Sequence, residues 1–110
     1  MDEQVKINIL RVLDRAIVAV KGNDAKYLKD LSNETIHDAT IFQDEYSISV
    51  AVLFYVLSKI YERDVHYNQF KGWKNFCTSC VVDLETAREK LKENDIQGFD
   101  SALRGYLDAM

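Results

Sequence analysis

Hydrophobic positions recur along the chain at helical spacing, and one stretch, Ser47–Tyr61, is apolar on nearly every side. Eight consecutive residues, Val50–Leu57, carry no polar side chain except the Tyr55 hydroxyl. Such a run is typical of a buried helix or strand, and its continuation without a turn residue favours a helix. It is well short of the roughly 20 apolar residues that span a bilayer. The pattern predicts a central helix at about residues 45–62, buried on all sides, on which the other segments pack.

The first helix is predicted over Asp2–Lys21. Two acidic residues at its start suit the positive end of the helix dipole, and Gly22 and Asn23 tolerate the left-handed conformation in which helices often end. Arg11 and Arg15 lie largely on the side opposite its apolar stripe. That stripe consists of Val5, Ile9, Val12, Ala16 and Val20.

The second helix begins at Asn23 or Asp24, either of which can cap it. We expect a break at Ser32–Asn33, because both side chains compete for backbone hydrogen bonds. A separate segment, Asn33–Gln43, would then follow. Asp44 is expected to begin the central helix, since aspartate is favoured at a helix start.

Two further helices are predicted after the central one. Residues 65–68 suggest a short connection, and a helix follows over Gln69–Glu93. Asn94–Asp95 forms a turn and a cap, and the last helix covers Ile96–Ala109. The chain, residues 1–110, is therefore predicted to be one all-α domain, a compact antiparallel bundle of four to five helices.

Composition supports helices and narrows the function. There is no proline and there are only four glycines, whereas all-β folds depend on turns rich in both. The formal net charge is −4 and no basic stripe is present, so we expect no nucleic-acid partner. No targeting or membrane segment is recognisable. With only two cysteines, the composition indicates a cytoplasmic, reduced protein.

One internal similarity links two parts of the chain. Leu13–Asp24 aligns without gaps to Leu84–Asp95, with five identical pairs, and both stretches finish with the dipeptide Asn-Asp. A duplicated pair of helices joined by a tight turn would produce this similarity. The alternative is that the same common turn sequence arose twice.

The most unusual stretch lies at residues 30–45, which include five acidic residues and no Lys or Arg. On a helix Glu34, His37 and Asp38 share a face, and Glu34-x-x-His37 has the spacing of carboxylate-bridged di-metal bundles. The second copy that such a site needs is missing. One hypothesis is a metal or small-ligand site from these residues with the distant His66; the other is a solvated acidic face. No cofactor is assigned.

Cys77-x-x-Cys80 could pack in the core, bridge a metal across a dimer, or act as a redox pair. Two cysteines do not complete a tetrahedral metal site, and a thioredoxin-type motif follows a strand that is not predicted here. Cys77 falls within a helical apolar stripe, which favours core packing.

Aromatic side chains cluster around the connection into the fourth helix. Tyr61, Tyr67 and Trp73 are candidates for a partner interface, because Trp and Tyr often anchor such interfaces. The alternative is that Phe70 and Trp73 belong to the core, since both extend an apolar stripe.

The stretch Leu31–Ile60 resembles part of a family of small uncharacterised archaeal proteins. In that family a Leu-Ser-Asn-x-Thr-Ile-His segment precedes a Gln-Asp-Glu/Asp-x-x-Ser-Ile start to an apolar helix, and the resemblance extends to Asn75–Cys77. Fuller members continue into a helix-turn-helix-like C-terminal segment, which has no counterpart here. The resemblance implies a helical N-terminal domain and transfers no catalytic residue. It marks the positions at which a shared polar feature would lie: Ser32, Asn33, His37, Asp38 and Asp44.

No nucleophile or phosphate-binding motif is recognisable, so enzymatic activity is not expected. We therefore predict a non-enzymatic helical domain for protein interaction or regulation, which could bind a protein partner or associate with itself. The alternative is a metal- or small-ligand-binding bundle that uses the face of Glu34, His37 and Asp38.

Overall fold

The computed structural model describes the backbone of residues 1–65 and 73–108 and the side chains of residues 1–62 and 77–105. No strand is found in either described range. The all-α prediction is confirmed, and the bundle measures 42 × 25 × 20 Å. The helices are α1 (Glu3–Lys21), α2 (Ala25–Phe42), α3 (Glu45–Val65), α4 (Trp73–Lys92) and α5 (Ile96–Asp108).

Aspartate side chains begin the helices where the sequence places them. The carboxylate of Asp2 accepts a hydrogen bond of 2.8 Å from the backbone N–H of Gln4. That of Asp44 accepts from the backbone N–H groups of Tyr46 and Ser47, at 2.9 and 3.1 Å. These bonds satisfy first-turn N–H groups that have no partner within the helix.

The predicted break at Ser32–Asn33 is wrong, because α2 runs without interruption from Ala25 to Phe42. Ser32 is on the buried face of α2, and its backbone carbonyl accepts a hydrogen bond of 2.9 Å from the Thr35 hydroxyl. Serine and asparagine locally favour a turn, but the burial of this face of α2 stabilises the helix by a larger amount.

Helix α3 is buried on one side only, which corrects the prediction of burial all round. Its inner face supplies four of the largest fully buried side chains, Leu53, Phe54, Leu57 and Tyr61. On the outer face Ile48, Val52 and Tyr55 are 48, 54 and 49% exposed. The apolar run encircles the helix, but the bundle covers only half of it.

Residues 66–72 lie outside the described part of the chain, and so do the predicted connection and the predicted start at Gln69. Helix α4 is described from Trp73 and ends at Lys92, close to the predicted Glu93. Helix α5 is described over Ile96–Asp108, and its predicted end at Ala109 lies outside the described residues. The late helices therefore agree with the sequence wherever they are described.

Helices α1 and α4 pack antiparallel, as two ion pairs between them show. Lys21, at the end of α1, lies 3.3 Å from the carboxylate of Glu85. Asp14, earlier in α1, lies 3.0 Å from the guanidinium of Arg88, which is later in α4. Residues later in α1 therefore pair with residues earlier in α4, as in an antiparallel arrangement.

Two helical hairpins flank α1. Helix α2 packs chiefly on α3, and α4 packs on α5, while α1 contacts α2, α3 and α4. The buried face of α1 is correspondingly wide and carries nine buried residues. The central position in the bundle thus belongs to α1, although α3 provides much of the core volume.

The internal similarity corresponds to two turns of the same geometry. Asn23 and Asn94 both adopt the left-handed conformation, with φ of 53° and 62°. The carboxylate of Asp24 accepts from the backbone N–H of Tyr27 at 3.0 Å, and that of Asp95 accepts from an N–H three residues on at 2.9 Å. Asparagine tolerates positive φ better than most residues, so Asn-Asp ends one helix and begins the next at both sites.

The burial of Val50 on the inner face of α3 predicts that this residue contributes more to stability than an exposed valine does. Val50 is 2% exposed on the inner face of α3, and Val82 is 55% exposed on α4. We expect Val50→Ala to lower the free energy of unfolding by about 2 kcal/mol, because buried methyl groups are lost and a cavity is left. Val82→Ala should change it by less than about 0.5 kcal/mol. Urea unfolding measures both, and equal losses would contradict the assignment of the inner face.

Candidate functional site: the apolar groove between α2 and α3

One side of α2 is polar and is held against α1. The guanidinium of Arg15 lies 2.7 Å from the Glu34 carboxylate and also donates to the hydroxyl of Tyr27 at 3.0 Å. The hydrogen bond from Arg15 lowers the pKa of Glu34, against the opposing effect of partial burial. The contact raises the pKa of Arg15 in turn. Glu34 is therefore an ionised partner of α1.

Asp38 belongs to a second polar contact between the same helices. Its carboxylate accepts a hydrogen bond of 2.9 Å from the side-chain amide of Asn8, which is almost fully buried. The amide oxygen of Asn8 accepts from Arg11 at 2.7 Å. The buried amide thus has partners for both its nitrogen and its oxygen, as buried polar groups require.

The three candidate ligands of the acidic stretch do not converge. Glu34 and Asp38 contact α1, whereas His37 is exposed on the outer side of α2. Within the described residues no group of three or more His, Cys, Asp and Glu side chains could hold a metal ion. His66, the fourth candidate, lies outside the described residues.

The partners of these carboxylates lie on α1 and were not predicted from the sequence. Arg11 and Arg15 were placed on the side of α1 away from its apolar stripe. Arg15 reaches across to Glu34 of α2, whereas Arg11 donates to Asn8 within α1. The partner of Asp38 is Asn8, seven residues before Arg15, whereas Asp38 follows Glu34 by four. The spacings on the two helices therefore differ, and the sequence offered no local signal for these pairs.

The lowered pKa of Glu34 predicts a pH dependence of stability. A carboxylate whose pKa is lower in the folded state adds stability above its unfolded pKa of about 4.3, and this stability is lost as the pH falls through the folded value. Glu34→Gln should remove that part of the acid-induced loss, with an effect below about 1 kcal/mol at pH 7 because the pair is one-third exposed. Urea unfolding between pH 7 and pH 3 provides the measurement.

Arg15→Gln provides the matched control for this prediction. It removes the cause of the shift and should flatten the pH dependence to the same degree, and the double variant should add little further. Two independent, additive effects would contradict the contact.

The aromatic candidates do not form a described surface. Tyr61 is fully buried, and its hydroxyl donates to the Cys77 sulfur at 3.2 Å. Burial raises the pKa of this hydroxyl, so its proposed place in a partner interface is corrected to a place in the core. Tyr67 lies outside the described residues, and Trp73 begins α4 with its side chain outside them.

The cysteines pack as the apolar stripe suggested. Cys80 is buried in the core, and Cys77 is partly buried against it. Both lie on α4 within one turn, with Cys77 directed toward Tyr61 of α3. These thiols occupy the contact between the two hairpins.

An apolar groove lies on the outside of the α2/α3 hairpin. It has a volume of about 440 Å³. Four of the side chains that line it are large and roughly half exposed: Ile36 of α2 and Ile48, Val52 and Tyr55 of α3. The remaining lining residues are Ala39, Thr40 and Ala51. Small residues along its floor let the larger side chains form its walls.

The groove has acidic groups at one end and an ion pair at the other. At the α2–α3 turn Asp44 caps α3, and the exposed Glu45 follows it. At the other end the ammonium of Lys59 lies 5.6 Å from the centre of the Tyr55 ring and 3.6 Å from the carboxylate of Glu62. Tyr55 thus lies between the apolar wall and the Lys59–Glu62 pair.

A second cavity, of about 400 Å³, lies between the start of α3 and α5. It is mostly polar, and within it Arg104 pairs with Asp100 at 3.0 Å. The pKa of Tyr46 at its edge is raised by desolvation and by nearby carboxylates. Arg104 and Asp100 pair with each other, and Glu45 lines the same cavity. The apolar groove, whose lining includes no charged residue, is the stronger candidate for a protein partner.

Comparison of the chain with models of known protein families, with curated proteins and with solved structures finds no match. No helix in the described ranges is long and apolar enough to cross a membrane. The functional conclusion therefore depends on the geometry and chemistry of the groove.

Proposed function

We propose that this chain is a non-enzymatic protein-interaction or regulatory domain that binds its protein partner in the apolar groove between α2 and α3. The observation that carries the proposal is the grouping of Ile36, Ile48, Val52 and Tyr55 in one concave surface. Isolated exposed apolar residues are common on proteins and need no explanation. A contiguous apolar groove with charged ends is typical of an interaction site.

The size of the apolar set limits what the groove can do alone. Covering the exposed half of one large apolar side chain contributes about 1 kcal/mol, so four contribute about 4 kcal/mol. That is near the lower limit of the roughly 4–15 kcal/mol that association costs in lost freedom. A stable complex therefore also needs apolar side chains from the partner and polar contacts at the rim.

The resemblance to archaeal proteins bears on this proposal through its position. Leu31–Ile60 contains the last part of α2, the turn and most of α3, and therefore includes every residue that lines the groove. We propose that the polar positions Asp44 and Ser47 fix the start of α3 and hold the groove in shape. The alternative metal or ligand site is less favoured, because Glu34 and Asp38 are already engaged by α1.

Site-specific photo-cross-linking tests the proposed function. A photoreactive amino acid at Ile48 should form adducts with a protein partner in cells that produce the full chain. The same group at Val82, an exposed apolar position on α4, is the matched control and should form none. Adding Val52→Glu to the Ile48 probe should abolish the adducts, since a carboxylate in the groove opposes burial.

The Val52→Glu variant must fold normally for this test to be interpretable. Val52 is exposed, so Val52→Glu should leave the helical circular dichroism and the unfolding midpoint nearly unchanged. The absence of adducts at Ile48, or the same adducts from Ile48 and Val82, would contradict the proposed function.

A further inference from the structure

We infer that the groove binds a second copy of this chain, with α3 of each copy antiparallel to α3 of the other about a two-fold axis near Val52. This inference rests on the proposed function and names the partner for the same surface. It follows from the spacing and the charges of the exposed residues of α3.

The exposed face of α3 has the periodicity of a helix–helix seam. Its residues are separated by alternating steps of three and four, which is the heptad spacing that keeps one face directed at a neighbouring helix. All of them are exposed in the bundle. They are Glu45, Ile48, Val52, Tyr55, Lys59 and Glu62.

Two of the three charged residues on this seam, Glu45 and Lys59, are complementary when the helix is reversed. The third, Glu62, pairs with Lys59 of its own chain at 3.6 Å. Glu45 precedes Val52 by seven residues, and Lys59 follows it by seven. Each lies about 10 Å from Val52 along the axis, at the helical rise of 1.5 Å per residue. A two-fold axis at Val52 therefore places Glu45 of each copy opposite Lys59 of the other. A parallel arrangement would place like charges together, which disfavours it.

The apolar residues fit the same arrangement. With the axis at Val52, Ile48 of one copy lies close to Tyr55 of the other along the helix axis. The two Val52 side chains meet at the centre. Because a two-fold interface uses the same patch on both partners, each copy covers the exposed apolar residues of the other. The second copy thereby provides the additional apolar surface that a stable complex needs.

Lys59 is already positioned for this contact. The Tyr55 ring and the Glu62 carboxylate hold its ammonium at the end of the apolar wall. Less side-chain freedom is then lost when it meets a carboxylate from another copy. Lys29 of α2 is exposed at the same end of the hairpin and adds to its positive charge.

Charge reversal tests the inference. The full chain should sediment at twice its mass of 12.7 kDa at micromolar to submillimolar concentrations. Glu45→Lys and Lys59→Glu should each raise the dimer dissociation constant about tenfold or more, because each reversal makes two symmetry-related pairs repulsive. The double variant Glu45→Lys with Lys59→Glu should return it to within about threefold of the unmodified value.

Glu93→Lys, an exposed reversal at the α4–α5 turn, is the matched control and should leave the dissociation constant unchanged. Circular dichroism confirms that every variant folds. Sedimentation as a monomer up to submillimolar concentration would overturn the inference, and so would a dimer whose dissociation constant is unaffected by the single reversals. Adducts from the Ile48 probe with a different protein, beside a monomeric chain, would overturn only the identity of the partner. A probe that forms no adduct at all would overturn the proposed function as well.

Discussion

The burial of α1 between two hairpins is the constraint on which the rest of the structure depends. Its buried face is too wide for one neighbouring helix to cover, so α2 and α3 close it on one side and α4 on the other. Small residues allow the close approach: Ala16 of α1 and Ala87 of α4 are both fully buried. These alanines are equivalent positions of the internal similarity and lie at a similar level in the antiparallel pairing of the two helices.

This arrangement determines how the α2/α3 hairpin is used. On the α1 side it is anchored by paired charges and amides, with Arg15 on Glu34 and Asn8 on Asp38. Such contacts fix register and orientation while contributing modest stability. The inner face of α3 fills the core, and its outer face, together with Ile36 of α2, is left as the apolar groove. One apolar run thus serves both the fold and the surface proposed for binding.

The parts of the fold that depend on local chemistry could be predicted from the sequence. The ends of α1 and α4 follow from left-handed asparagines, and the starts of α1, α2 and α5 follow from capping aspartates. Both kinds of residue act within a few positions of the chain. The break at Ser32 could not be judged locally, because the burial that stabilises α2 there comes from other helices. The exposure of the outer face of α3 could not be predicted either, since a run that is apolar on every side does not indicate which half will be covered.

The site was predictable only in outline. The acidic stretch could be recognised in the sequence, but the pairing of Glu34 with Arg15 and of Asp38 with Asn8 depends on the packing of α1 against α2. Tyr61 had the character of an interface anchor and lies in the core, because aromatic side chains suit both environments. The groove itself is assembled from two helices, and no single segment of the sequence marks it.

The most direct measurement of the central claim is the solvent accessibility of methyl groups across a dilution series, read by nuclear magnetic resonance with a soluble paramagnetic probe. At the lowest concentration the methyl signals of Ile48 and Val52 should be strongly broadened, whereas that of the buried Val50 should not. As the concentration rises, Ile48 and Val52 should become protected while the exposed Val82 stays accessible. Ile48 and Val52 signals that are protected at every dilution, or accessible at every concentration, would contradict the account.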